Sequence, residues 1–378
     1  MTDIFLSSDN ILSPIGLTTA ENFLQLKKNV TGIKKQDDVT ISEQPFYAAL
    51  FDREDFFLKD EKLEQYTKFE KLLITSISDA LKNSSISATD KKTILIISST
   101  KGNISLLETE TFNKDLQTRI SLQSSAKLVA DHFQFSNKPV VISNACISGM
   151  LAILTGMRLI QSGQYENAVI AGADVVSKFV LSGFQSFQAI STTPCKPFDA
   201  ARDGINLGEG AATVILTADK TKSAGIKVIG GSVSNDANHI SGPSRTGEEL
   251  NLAITKALNI AGLSSIDIDF ISAHGTATVY NDEMEANAIT LANMQAVPVN
   301  SLKGFYGHTL GAAGLIESII CFNSLKENII IPTLGFQHIG VTQPVNICNS
   351  LTKKNLHNCL KTASGFGGCN AAMIFSKQ

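Results

Sequence analysis

The sequence predicts an α/β protein built from two similar halves, and three observations carry that reading. Short apolar runs rich in β-branched residues alternate with stretches of helical period along most of the chain, the order expected of βαβ units whose parallel strands are covered on both faces. The alternation starts afresh near residue 219, dividing the chain into residues 1–218 and 219–378. With 378 residues, 43% of them hydrophobic, the chain can bury one large core or two fused ones. No long Pro, Ser or Gly linker separates the halves, so they are expected to share one interface.

In the first half, "KTILIISST" (92–100) is a continuous β-rich run and reads as a buried strand. The run "SAKLVADHFQ" (125–134) has helical spacing, "PVVISNA" (139–145) is a further strand, and "SGMLAILTGMRLIQSG" (148–163) places Leu151, Leu154, Met157 and Leu159 on a helix face. The strands "NAVIAGADV" (167–175) and "GAATVILTADK" (210–220) complete this half. The second half begins with "IKVIGGSVS" (226–234), the helical "ELNLAITKALNIAG" (249–262) and "IDFISAHGTA" (268–277). It ends with "VPVNSLKG" (297–304), the helical "GAAGLIESIICFNSLK" (311–326) and "CLKTASGFGGCNAAMIFS" (359–376).

Net charge is −3 and the pI is about 6.1, so no global basic field exists to hold nucleic acid or an anionic membrane. The start "MTDIFLSSDN" lacks the basic residues of a signal peptide, and no apolar run reaches the roughly 18 residues of a membrane span. A cytoplasmic protein is expected. Its six cysteines (Cys146, Cys195, Cys321, Cys348, Cys359 and Cys369) never fall at CxxC spacing, which supports neither a zinc ribbon nor a dithiol redox motif. Most read as buried thiols.

Candidate chemistry collects at strand ends. Cys146 follows a strand and opens a helix, where unpaired amides and the helix dipole favour the thiolate; the bland alternative is a small core residue. His274 lies just past a strand in a Gly-rich loop, with Asp282 and Glu285 following at helical spacing. His308 has an equivalent setting five residues after Lys303. One such histidine is commonly structural; two at matching positions point to a site. Near the C-terminus, Gly365, Gly367 and Gly368 surround Phe366, which lets backbone N–H groups approach a reacting carbonyl oxygen. A nucleotide loop fits less well, since no βαβ unit follows and no GxxxxGK[ST] occurs. The glycines of "GHTLGAAG" serve either the site or close helix packing.

Taken in order, "SNACISG", "AHGTAT", "LKGFYGHTLGAAG" and "SGFGGCNAA" resemble the β-ketoacyl-[acyl-carrier-protein] synthases, the condensing enzymes of fatty-acid and polyketide assembly. The resemblance extends to "ILSPIGLTTAENFLQLKKNVTGI", to "CKPFDAARDGINLGEGAA" and to the loop "NDANHISGPSRTGEEL", covering nearly the whole chain. It implies a thiolase-like fold, two similar mixed α/β halves in five αβαβα layers, usually as a homodimer. It assigns the acylated nucleophile to Cys146, the malonyl-acting pair to His274 and His308, the family lysine to Lys303 and its acidic residues to Asp282 and Glu285. Phe366 becomes the gate, whose N–H joins that of Cys146 in the oxyanion hole. No cofactor and no metal is implied. The partner is an acyl carrier protein delivering acyl and malonyl groups, with a homodimer or a heterodimer with a related subunit as the assembly.

The sequence also departs from the family. Val279, Tyr280 and Asn281 replace the usual Pro and Gly, Cys369 stands where threonine is common, and the stretch between "STKGN" and Cys146 is shorter than usual. A thiolase, with its second catalytic cysteine, stays open through Cys369, although the HGT loop favours decarboxylative condensation. A non-elongating subunit resembling a chain-length factor stays open too, although Cys146 is present. A metal site of Cys146, His274 and His308 has suitable ligand types but no short ligand pair on one element. For an acidic carrier, Lys62, Lys68, Lys71, Lys196 and Arg202 are the candidate basic contacts, with an ordinary solvated face as the alternative.

Overall fold

The computed structural model describes residues 2–52, 59–236 and 242–378. Part of the loop at 235–250 therefore lies outside the described residues. The first half contributes strands β1 (Phe5–Leu12), β2 (Thr93–Ser98), β3 (Val140–Ile142), β4 (Asn167–Asp174) and β5 (Gly210–Thr217). The second contributes β6 (Ile226–Asn235), β7 (Phe270–Ser272), β8 (Pro298–Asn300), β9 (Asn346–Ile347), β10 (Asn358–Gly365) and β11 (Cys369–Lys377). They run in the order β9-β8-β7-β10-β11-β6-β1-β5-β4-β2-β3. Outward from the β1–β6 junction both halves repeat one pattern. Two antiparallel steps (β1–β5–β4 and β6–β11–β10) are followed by parallel ones (β4–β2–β3 and β10–β7–β8).

The junction is short: Phe5 pairs with Lys227, and the Ile4 and Leu6 carbonyls accept from Val228 (3.0 Å) and Ala224 (2.7 Å), so the two parts of the sheet meet along one short seam. Between them lie α4 (Ser148–Gln161) and α9 (Ala313–Glu327); α9 touches β1 and β5 of one half and β10 and β11 of the other. Two glycines make this middle layer thin. A Cβ on Gly149 would stand 2.8 Å from the amide nitrogen of Leu315, and one on Gly314 would stand 2.8 Å from that of Met150, so the helix backbones meet where a side chain would part them. The "GAAG" run thus serves close packing. Being central, α4 is buried on more than one face. Met150, Ile153, Leu154, Met157 and Ile160 enter the core, while Leu151 and Leu159, expected on its buried face, are half-buried.

The first half also holds α1 (Thr19–Lys27), α3 (Leu122–His132) and α5 (Lys178–Ser186), and outer layers complete the five. On the first half, α2 (Lys68–Lys82) sets Leu72, Leu73 and Ile77 against Leu95, Val169 and Ile215. Its start is held by a capping box, with Thr67 and Glu70 bonding each other's backbone N–H. On the second half, α6 (Glu248–Ala261) and α7 (Val279–Leu291) cover Ile271, Leu360 and Ile374. The chain crosses from one half to the other between Thr217 and Ile226.

Candidate active site

Cys146 sits on a sharp bend between β3 and α4. Ala145, just before it, takes the left-handed conformation (φ 43°), uncommon for a residue with a Cβ, and Ser148 ties the bend by donating to the Ala145 carbonyl (2.7 Å). This presents the thiol to a cleft while leaving Cys146 8% exposed. His308 lies between the short helix α8 (Lys303–Tyr306) and α9. Its N–H donates to the Asn206 carbonyl (2.7 Å) and its own carbonyl accepts from Gly208 (3.0 Å), so the 195–212 segment fixes its backbone. The imidazole Nε2 then stands 2.9 Å from the Cys146 sulfur.

His274, at the end of β7, meets the His308 ring edge-to-face with centroids 5.1 Å apart. Its backbone is held by α7. Glu285 accepts from the N–H groups of His274 (2.8 Å) and Gly275 (2.6 Å), and also from Asn281 (3.0 Å) and Thr362 (3.0 Å). Asp282 accepts from Thr276 (3.0 Å) and from Phe198 (2.7 Å). Thus Asp282 and Glu285 shape the loop and stay off the reacting atoms. Of the three departing residues in this loop, Asn281 bridges these two carboxylates, whereas Val279 and Tyr280 face solvent.

Lys303 is fully buried behind the pair. Its ammonium donates to the His274 carbonyl (3.0 Å) and pairs with Glu317, whose other oxygen lies 2.8 Å from the Lys361 ammonium. Glu317 and Lys361 escaped the sequence reading, though each left a signal: a single charge within an otherwise apolar helix ("GLIESIICF") or strand ("CLKTASG"), where burial demands a partner. Asp174, at the end of β4, was missed as well. It accepts from Ser99, Thr100, Lys101 and Gly311 and so joins the "STKGN" loop to the start of α9.

Electrostatics correct the expectation of a resting thiolate. Burial, reinforced by the neighbouring Cys369 thiol, pushes Cys146 up to about 12, outweighing the helix start. Burial also holds both His274 and His308 well below the usual imidazole range, with Lys303 adding to the effect. A neutral thiol therefore faces a neutral imidazole. The ligand-type atoms of Cys146, His274 and His308 come within 4.8 Å of one another, yet both Nδ1 atoms are buried with no partner among the described residues. Metal-binding imidazoles normally donate that nitrogen to an oriented acceptor.

Phe366 stacks on Phe184 (5.6 Å) and meets the edge of Phe187 (5.3 Å). Together with Cys146 and Phe184 it borders two clefts. One contains His274, His308, Thr276 and Thr278; the other, mostly apolar, contains Phe179, Phe187, Leu310 and Lys101. Gly365 abuts the Cys146 amide: a Cβ there would lie 2.9 Å from its nitrogen. Cys369 donates its S–H to the Phe366 carbonyl (3.4 Å), and burial raises its thiol to about 11.

The candidate docking residues divide. Lys68 is paired with Glu209 at 2.6 Å. Arg202 is a correction: its side chain is buried, lies near Asp282 and Glu283 and donates to the Asp199 and Gly340 carbonyls, so it braces the interior. Lys62 is exposed and Lys196 half-buried.

Comparison with known proteins gives consistent likenesses. Residues 18–222 match the family model for the beta-ketoacyl synthase N-terminal domain, and residues 226–337 match that for its C-terminal domain. The chain is 29% identical over 357 residues to a Schizosaccharomyces pombe protein named provisionally as a mitochondrial 3-oxoacyl-[acyl-carrier-protein] synthase, covering 85% of this chain and 84% of that one. It is 34% identical over 253 residues to 3-oxoacyl-[acyl-carrier-protein] synthase 2 of Rhizobium meliloti, covering 62% of this chain and 60% of that protein. Among solved structures, the ishigamide ketosynthase/chain length factor superposes with a TM-score of 0.91 at 24% identity, covering 100% of this chain and 99% of that one.

Proposed function

The chain belongs to the β-ketoacyl synthase family of acyl-transferring condensing enzymes, with their thiolase-like fold, and from that premise we propose that it is a 3-oxoacyl-[acyl-carrier-protein] synthase acting through Cys146. The observation that carries this reading is the 2.9 Å contact between His308 Nε2 and the Cys146 sulfur, placed where the two clefts meet beside Phe366.

In the first half-reaction, the Cys146 sulfur attacks the thioester carbonyl of an acyl carrier while its proton passes to His308. The carrier's sulfur leaves and takes that proton, and the acyl group remains on Cys146. The amides of Cys146 and Phe366 hold the oxyanion. Malonyl carrier then enters the histidine cleft. Neutral His274 donates through Nε2 to its thioester oxygen, joined by His308 once its ring proton has exchanged from Nδ1 to Nε2 through solvent, and the bond to the carboxylate breaks, releasing CO₂ and leaving an enolate. Its carbon attacks the acyl carbonyl; the bond to Cys146 breaks, the freed sulfur takes up a proton from solvent to restore the thiol, and the 3-oxoacyl carrier departs. Depressed imidazole ionisation supports this step, because both rings enter it as uncharged N–H donors.

The same reading divides the work between residues 1–218, carrying the nucleophile, and 219–378, carrying the histidine pair and the glycine-rich turn. A second condensing subunit, identical or related, is the expected cover for β3, an edge strand whose Val140, Val141 and Ile142 are half-buried. The intact set of Cys146, His274 and His308 favours an elongating subunit over a non-elongating one. Among the described residues no helix is long and apolar enough to cross a membrane, and a cytoplasmic setting belongs to the proposal.

Intact-mass analysis after incubation with acyl carrier tests the reading. One acyl adduct on Cys146 is expected, discharged by malonyl carrier as a 3-oxoacyl product. Cys146→Ala should lose the adduct yet still release CO₂ from malonyl carrier. An adduct on Cys369 would instead support thiolase-type chemistry, and no adduct at all would refute acyl transfer.

A further inference from the structure

Behind His274 lies a second lysine that the steps above do not use. Lys361, in the middle of β10, is fully buried. Its ammonium donates to the carbonyls of Ser272 (3.2 Å), Ala273 (3.2 Å) and Thr362 (2.6 Å) and lies 2.8 Å from Glu317. Lys303 donates to the next carbonyl, that of His274 (3.0 Å), and takes the other oxygen of Glu317. Two ammonium groups sharing one carboxylate thus grip three consecutive carbonyls, 272 to 274, that lead to the histidine.

One lysine paired with Glu317 would make a neutral, satisfied unit. A second places an extra positive charge in a dry interior, which is costly unless its field or its bonds are put to use. We propose that Lys361 is a positioning residue of the condensation: it anchors the backbone entering His274 and, with Lys303, sets a net positive charge behind the histidine pair. This rests on the proposed role of His274 and His308 as neutral donors.

The surroundings support the assignment. The groups gathered about the pair are Cys146 at the head of α4, Asp282 and Glu285 on α7, Lys303 on α8, Glu317 on α9 and Asp236 across the cleft. Glu285 is spent on backbone N–H groups, and Asp282 accepts from two more. Within the buried cluster, Glu317 is outnumbered by Lys303 and Lys361. Both lysines act with burial to lower His274 and His308.

The test is the pH profile of CO₂ release from malonyl carrier by the parent enzyme and by Lys361→Met, which keeps the side chain out to its ε-carbon and removes the ammonium. Removing a positive charge raises the histidine pKa, so the acid limb should move upward by on the order of one pH unit, with activity recovering to within a few-fold of the parent on the alkaline side. Lys361→Gln, which retains a donor for the carbonyls, should shift the limb similarly with a smaller loss of thermal stability. An unmoved limb in a folded variant overturns the proposal. So does failure of both variants to fold, which would assign Lys361 to stability alone. If the parent enzyme releases no CO₂, the decarboxylation reading fails instead; the histidine ring signals of parent and variants, followed by NMR titration, then still report whether the pKa moves.

Discussion

Gly365→Ala isolates the proposed oxyanion contact from the fold. Gly365 ends β10 without a left-handed φ, so alanine meets no backbone penalty there. Its Cβ, however, would stand 2.9 Å from the Cys146 nitrogen and 3.1 Å from both the Ala145 Cβ and the Cys369 sulfur. Ordinary contact needs about 0.5 Å more, so either the turn carrying Phe366 or the Cys146 amide must shift by that amount. Misplacing one oxyanion donor typically costs on the order of 10²–10³ in rate, about 3–4 kcal/mol in the transition state. Mild overpacking costs about 1–3 kcal/mol of stability. The control is Gly367→Ala, whose Cβ would meet nothing within 4 Å but whose φ of 85° disfavours a side chain, costing about 1 kcal/mol. The assay is the rate of Cys146 acylation by mass spectrometry, with urea unfolding of both variants. A large rate loss confined to Gly365→Ala is expected. Acylation at the parent rate in that variant would remove the Cys146 amide from the oxyanion hole.

Other outcomes follow from the same contacts. Glu285→Gln turns an amide N–H₂ toward backbone donors that Glu285 now accepts from, and should cost roughly 2–4 kcal/mol of stability and at least tenfold in decarboxylation, measured by urea unfolding and CO₂ release. Burial raises Asp282 from its ordinary 3.8 to about 7, so its contribution to stability is full below about pH 4 and is lost as pH rises through 7. Relative to the parent, Asp282→Asn should therefore gain on the order of 4 kcal/mol between those limits; parallel stability–pH curves would contradict the shift. Gly149→Ala should force α4 from α9 and cost about 1–3 kcal/mol, read as a lowered Tm. Lys62→Glu should slow turnover of carrier-bound substrate and weaken its salt dependence while sparing a small thioester mimic; equal losses on both substrates would place the carrier elsewhere.

The order of elements and the positions of Cys146, His274 and His308 were legible because each depends on neighbours in sequence: β-branched runs, helical period, and small residues where a strand must turn. The "GAAG" run was legible as either packing or site, and only the crossing of α4 over α9 decided for packing. Other features were hidden because they depend on which surfaces meet. Arg202 reads as a surface cation until its side chain is found braced beneath α7. Lys361 and Glu317 read as isolated charges in apolar segments until β10 and α9 bring them within 2.8 Å. The state of the Cys146 thiol turned on burial as well: the local sequence supplies a helix start that favours the thiolate, but the two sheets close around it and withdraw the water that would solvate the charge. Local periodicity and turn chemistry are written in consecutive residues and could be read from them. Desolvation and charge pairing are properties of the closed tertiary structure, because they depend on what each side chain faces once the chain has folded.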